Sequence, residues 1–179
     1  MTNQNTSQVL ARHILDNKHL VTGKRVLDLG SGCGAVTIAS SLSGADHVIA
    51  NDIDVNASVA LNTNLNLNNM DIDNVHGKIN FSSLNYLENH DSLSDIDTVL
   101  IGDMFYDKEI GESVIDLCKK CLDVKKTVLL GDPGRWFLKS SSDVVGSMFE
   151  CVAKYDLTDE TKQENYGFDH GLVWKLRNI

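Results

Sequence analysis

Asp28, Gly30, Gly32 and Gly34 fall at alternate positions in residues 26–34, and Asp52, Asp103 and Tyr106 follow at the ends of later apolar runs. Glycines spaced in this way let a backbone turn tightly and come close to a ligand. An apolar run, a glycine turn and a helix over residues 35–43 read as the point where an α/β sheet receives a nucleotide-like ligand. Three readings compete: a turn with no ligand, a dinucleotide resting its pyrophosphate on the helix N-terminus, and a ligand that carries positive charge. Asp28 is read as lying inside the turn, where a carboxylate repels pyrophosphate and attracts an ammonium group.

Residues 47–52 form a second apolar run closed by Asp52. An acid there accepts hydrogen bonds from the two hydroxyls of a ribose. Ile53 beside it offers an apolar surface to an adenine, and Asp54 is expected to cap a helix over residues 55–68. The pattern Asp-x-Gly-x-Gly-x-Gly resembles the first motif of the class I methyltransferases. That resemblance implies S-adenosylmethionine, as methyl donor, in preference to NAD.

Residues 96–102 are strongly apolar and lead into Asp103-Met104-Phe105-Tyr106. The Asp-x-x-Tyr spacing resembles a motif of the seven-strand protein-lysine methyltransferases. A lysine amine has a pKa of about 10.4 and must lose a proton before it can attack a methyl group. Asp103 would orient that amine, and Tyr106 would give an aromatic wall to a cationic, methylated product. The competing reading makes Met104, Phe105 and Tyr106 the packed end of a strand.

The elements that must position these residues follow one another in alternation. Strands are expected at residues 78–81, 96–102 and 126–131, with helices between them and a further helix at 140–149. Two final strands, 151–157 and 172–176, are joined by a polar loop. The fold class is therefore α/β, a Rossmann-like seven-strand sheet of the class I methyltransferase type. It should be mostly parallel, with one antiparallel strand from a C-terminal hairpin. The 179 residues are read as one domain, residues 1–179, in which 1–22 form an N-terminal arm and a helix starting near Ser7.

A net charge of −9 argues against a general nucleic-acid binder and suits a basic protein segment. No stretch approaches the length of a membrane span. Cys118 and Cys121 lie in a helical pattern with no second pair or nearby histidine, so core packing is expected and no metal site. The N-terminal residues do not read as a transit peptide.

The segments residues 101–107 and 131–135, with LDLGSGCGA and ANDID, resemble the electron-transfer flavoprotein β-subunit lysine methyltransferases. That mitochondrial family is in turn similar to the ribosomal protein L11 methyltransferases. The resemblance implies N-methylation of lysines on the flavoprotein β subunit, in the mitochondrial matrix or the cytoplasm, by a protein expected to be a monomer. It supports Asp28, Gly30, Gly32 and Asp52 for the cofactor, and Asp103 with Tyr106 for the target lysine. Ser83 occupies a place where relatives often carry a polar residue near the adenine. Family members generally have a further segment before the first helix, bordering the cofactor, which this sequence is expected to lack. Activity on L11 or another protein, or a non-catalytic cofactor-binding role, remain the alternatives.

Overall fold

A computed structural model describes residues 4–70, 78–89, 93–133, 147–157 and 168–177. Helix α1 (Gln4–Asp16) opens the chain, earlier than the start expected near Ser7. Then come β1 (Arg25–Leu29), α2 (Ala35–Leu42), β2 (His47–Asn51), α3 (Ala57–Leu67), β3 (Ile79–Ser82) and β4 (Thr98–Gly102). Helix α4 (Lys108–Asp123), β5 (Thr127–Asp132), β6 (Phe149–Asp156) and β7 (His170–Leu176) complete the α-helices and strands among the described residues.

The strands form one sheet in the order β3-β2-β1-β4-β5-β7-β6. Pairs β1·β2, β1·β4, β2·β3 and β4·β5 are parallel, and β7 runs antiparallel to both β5 and β6. The expected seven-strand sheet with one antiparallel strand is therefore the observed one. Order reverses between β1 and β4, where an open α/β sheet leaves a crevice at its carboxyl edge.

The central strands are apolar on both sides because both sides are covered. Leu27, Leu29, Val99 and Ile101 pack with Val114, Leu117, Cys118 and Cys121 of α4 on one face. Val26, Val48, Leu100 and Leu129 pack with Leu10, Ile14, Val36, Leu61 and Leu65 of the other helices on the opposite face. Cys118 and Cys121 are fully buried in this packing. Burial pushes the Cys118 thiol well above its usual range and that of Cys121 up to about 11, as expected for inert core thiols.

Helix α4 starts where it does because Asp107, in extended backbone, accepts the N–H groups of Glu109 (2.8 Å) and Ile110 (3.1 Å). Two expected boundaries differ. Asp54 does not cap α3; its side chain accepts the N–H of Asn56 at 2.9 Å in a turn, and Asn56 itself precedes the helix. The helix expected at 140–149 falls mostly outside the described residues, and Phe149 at its end begins β6.

Candidate cofactor and substrate cavity

A cavity of about 910 Å³ opens at the carboxyl edge of β1, β2 and β4. Its walls come from the glycine turn (Gly30 to Cys33), from Asp52 and Ile53, from Gly102 to Tyr106, and from α4 through Glu109 and Ser113. Ser7 of α1, Asn85 and Phe168 also line it.

The three turn glycines all have positive φ, and each is needed for a different reason. A Cβ on Gly30 would sit 2.6 Å from the Met104 sulfur, so Gly30 lets the turn pack against the segment that carries Asp103. A Cβ on Gly34 would collide with the Leu61 side chain, so Gly34 serves the seating of α2 against α3. Gly32 alone has open space beside it, and that space is the cavity. Gly34 does not line the cavity, so the close approach to a ligand expected of the three spaced glycines is not seen at this one.

Asp52 is half-buried and holds the turn. Its Oδ2 accepts the N–H of Gly32 and its Oδ1 that of Asp54, each at 3.0 Å. Two further turn amides are engaged: Ser31 N–H donates to Asn51 O and Gly34 N–H to Ser31 O, both at 2.8 Å. A pyrophosphate site needs such amides free for phosphate oxygens. Here one of them already faces a carboxylate. Each oxygen of Asp52 keeps a further lone pair for a ribose hydroxyl, and Ile53, 72% exposed, stands beside it as an apolar surface.

Asp28 departs from its expected place. It lies within β1, in register with Ala50 and Leu100, and is only 1% exposed. Strand alternation turns it to the face of Val26, towards α2, while Leu27 and Leu29 face α4. Thr37 Oγ1 donates to Asp28 Oδ2 at 2.6 Å. Burial raises the carboxyl to about 7 against the opposing effect of the Thr37 hydrogen bonds. Asp28 does not line the cavity, and through Thr37 its side chain ties the sheet to α2 beneath the turn.

At the other wall, Asp103 is buried, at 8% exposure, with φ of +51°. Its N–H donates to Gly131 O at 3.0 Å, which fixes the unusual backbone at the end of β4. Asp is among the few non-glycine residues that accept this region. The turn sends Phe105 into the core and leaves Tyr106 over the cavity at 61% exposure. The packed-strand-end reading therefore holds for Phe105 and in part for Met104, and not for Tyr106. Burial, then the carboxylates of Asp107, Asp52 and Asp103, push the Tyr106 phenol upward, so it stays neutral.

Ser83 is exposed and does not line the cavity; Asn85 does, because the chain bends inwards after β3. The charged lining residues are Asp52, Glu88, Asp103 and Glu109, and none of the described ones is a cation. Ser31 Oγ is buried with no hydrogen-bond partner among the described residues. These features fit S-adenosylmethionine: a ribose acceptor, an apolar platform, a close-approach glycine and carboxylates for its positive centres. They also present a carboxylate and an aromatic ring to an incoming amine. Among the described residues no three potential ligands cluster as a metal site.

Comparison with known proteins points the same way. The chain is 40% identical over 170 residues to the electron transfer flavoprotein beta subunit lysine methyltransferase of Xenopus laevis, covering 94% of this chain and 65% of that one. With the human protein of the same name identity is 39% over 173 residues, covering 93% and 60%. The chain thus spans less than two thirds of the length of these relatives. The precorrin-6y C5,15-methyltransferase of Geobacter metallireducens shares the fold at a TM-score of 0.64 and 16% identity, covering 96% of this chain and 89% of that one. Residues 3–143 match the lysine methyltransferase family, and with the sheet order, the glycine turn and the strand-end acids in place the chain belongs to that family.

Proposed function

We propose that this protein transfers a methyl group from S-adenosylmethionine to lysine side chains of the electron-transfer flavoprotein β subunit. The observation that carries the reading is a single cavity with Asp52 and Gly32 on one wall and Asp103 and Tyr106 on another. The first pair suits a nucleoside and the second an amine. The names of the relatives support the choice of substrate.

Bound S-adenosylmethionine supplies an electrophilic methyl group on a positively charged sulfur. The chain's own residues do the rest. Asp103 draws the lysine ammonium into the cavity and accepts an N–H from it, fixing the direction of its lone pair once a proton has left to solvent. Tyr106, neutral and flat, confines the aliphatic stem and faces the cationic product. Desolvation beside the positive sulfur that the bound cofactor would bring favours the neutral amine, against the pull of Asp103. Most of the acceleration comes from this alignment, since no strong base lies among the residues described around the cavity.

The charged lining residues described are all acidic, which favours a cationic protein segment over a nucleic acid, whose phosphates they would repel. Action as a monomer within mitochondria is part of the same proposal and rests on the family resemblance. Among the described residues no helix is long and apolar enough to cross a membrane.

The test is methylation of recombinant flavoprotein β subunit with labelled S-adenosylmethionine, followed by mass spectrometry of its lysines. Ribosomal protein L11 and total RNA serve as competing acceptors. Methyl-lysine on the flavoprotein subunit is expected. Label confined to L11 or RNA would overturn the substrate assignment, and cofactor binding with no label in any acceptor would point to a non-catalytic binding protein.

A further inference from the structure

Helix α1 lies closer to the sheet than side chains ordinarily allow, and two glycines make the room. A Cβ on Gly102 would lie 2.6 Å from Ser7 Oγ and 3.4 Å from Ser7 Cα, and one on Gly171 would lie 2.5 Å from a methyl of Val9. Neither glycine has positive φ, so each is needed for space and not for its backbone. Val9 is buried, and α1 packs along β4, β5 and β7. Ser7 is therefore pinned against the end of β4 and cannot back away from it.

Ser7 also lines the cavity. Gly102 beneath it immediately precedes Asp103, and the sheet order puts β4, β5 and β7 on the side of β1 opposite to β2 and Asp52. The Ser7 hydroxyl thus stands on the amine side of the cavity, away from the nucleoside side. A neutral lysine amine has two N–H groups and one lone pair. The lone pair must face the methyl group, so both N–H groups need acceptors on other walls. Asp103 accepts one. A serine oxygen has lone pairs to accept the other.

We infer that Ser7 is a specificity-determining residue whose Oγ accepts the second N–H of the target amine and so favours the first methyl transfer over later ones. This rests on the lysine reading above. In each round the lysine nitrogen bonds to the methyl carbon as the carbon–sulfur bond breaks, S-adenosylhomocysteine departs, and the new ammonium gives a proton to solvent. A monomethyl amine has one N–H left. Asp103, which carries the charge, keeps it. The added methyl is then turned towards Ser7, where a hydrogen bond is replaced by an apolar contact with an oxygen that has no room to withdraw.

The experiment follows mono-, di- and trimethyl-lysine on recombinant flavoprotein β subunit over time by mass spectrometry, for the wild type and for Ser7→Ala. The wild type should accumulate monomethyl-lysine before the higher states. Ser7→Ala should slow the first transfer and raise the ratio of second to first transfer rates by about tenfold, the scale set by one lost hydrogen bond. Gly102→Ala, which pushes the hydroxyl aside without removing it, should raise the ratio as well. Calorimetry with S-adenosylhomocysteine and thermal melting should show cofactor affinity and fold kept in Ser7→Ala. An unchanged ratio in Ser7→Ala would overturn the inference and leave the lysine reading intact. So would a wild type whose second transfer is as fast as its first. A loss of S-adenosylhomocysteine binding that accounts for the whole change in rate would also overturn it, by placing Ser7 with the cofactor. A wild type that methylates no lysine of the flavoprotein subunit or of L11 would remove the lysine reading and this inference together.

Discussion

The carboxylate of Asp52 accepts the backbone N–H of Gly32 at 3.0 Å, so the residue proposed to hold a ribose also holds the glycine turn. Its second oxygen secures Asp54 N–H, which sets the direction of the chain towards Ile53 and α3. Removing the side chain therefore frees two backbone donors and leaves ribose hydroxyls unpaired. Asp52→Ala should weaken S-adenosylhomocysteine by about 1–3 kcal/mol. Asp52→Asn keeps one acceptor and should lose less. Calorimetry checks both, with NAD as a control that should not bind more tightly than S-adenosylhomocysteine to the wild type.

Gly32 and Gly34 should separate binding from stability. Both have positive φ, where an alanine is disfavoured by roughly 1–2 kcal/mol. At Gly34 the new methyl also meets Leu61. Gly34→Ala should then destabilise by about 2 kcal/mol or more, seen as a lowered denaturation midpoint. Adding Leu61→Ala should not restore it, because the backbone penalty stays and a cavity is added. Gly32→Ala has free space around its Cβ, so it should destabilise less and weaken the ligand more.

How far this was legible from sequence differs between these residues. Asp52 could be found because it ends a short apolar run and the chain leaves the sheet immediately afterwards. Asp28 is hard to place from sequence because β1 is buried on both faces. Its apolar run lacks the alternation that would show which way the acid points, and the glycine pattern drew it into the turn. Gly34 looked like Gly30 and Gly32, and only the approach of α3 reveals that its contact is Leu61. Ser7, Asn85 and Phe168 reach the cavity from distant segments, and no local spacing marks them. Asn85 replaced Ser83 because the run of β3 ends in a loop whose path the sequence does not specify. The strand order was more accessible. Alternating elements and a closing hairpin leave few ways to arrange a sheet.

Asp28 should make stability depend on pH. Its carboxyl rises from an ordinary 3.8 to about 7 on folding, chiefly through burial. The folded state therefore binds a proton more tightly than the unfolded chain. The resulting stabilisation is fully present below about pH 4 and is lost as pH rises through about 7. Asp28→Asn removes the titrating group while keeping an oxygen for Thr37 Oγ1–H. Between pH 4 and 8 the wild type should lose stability relative to this variant by on the order of 3 kcal/mol. Urea denaturation of both proteins across that range measures the difference. Parallel curves would mean that Asp28 keeps its charge at no penalty.

Asp103 is assigned to the amine, and Asp103→Asn is the informative change because Asn also accepts positive φ. The backbone bond to Gly131 O should survive, and with it the approach of Met104 to Gly30. What disappears is the negative charge facing the lysine. Turnover should fall by about 100-fold, since a misaligned or unattracted nucleophile loses most of the benefit of positioning. Affinity for S-adenosylhomocysteine should stay within a few-fold of wild type. Asp103→Ala adds backbone strain and should lower the denaturation midpoint as well, which makes it the poorer probe of chemistry. Tyr106→Phe keeps the aromatic wall and should retain most activity, whereas Tyr106→Ala should lose it. Steady-state methylation rates for the four variants, set beside calorimetry on each, decide the assignment. A loss of cofactor binding as large as the loss of turnover in Asp103→Asn would place Asp103 with the cofactor rather than with the lysine.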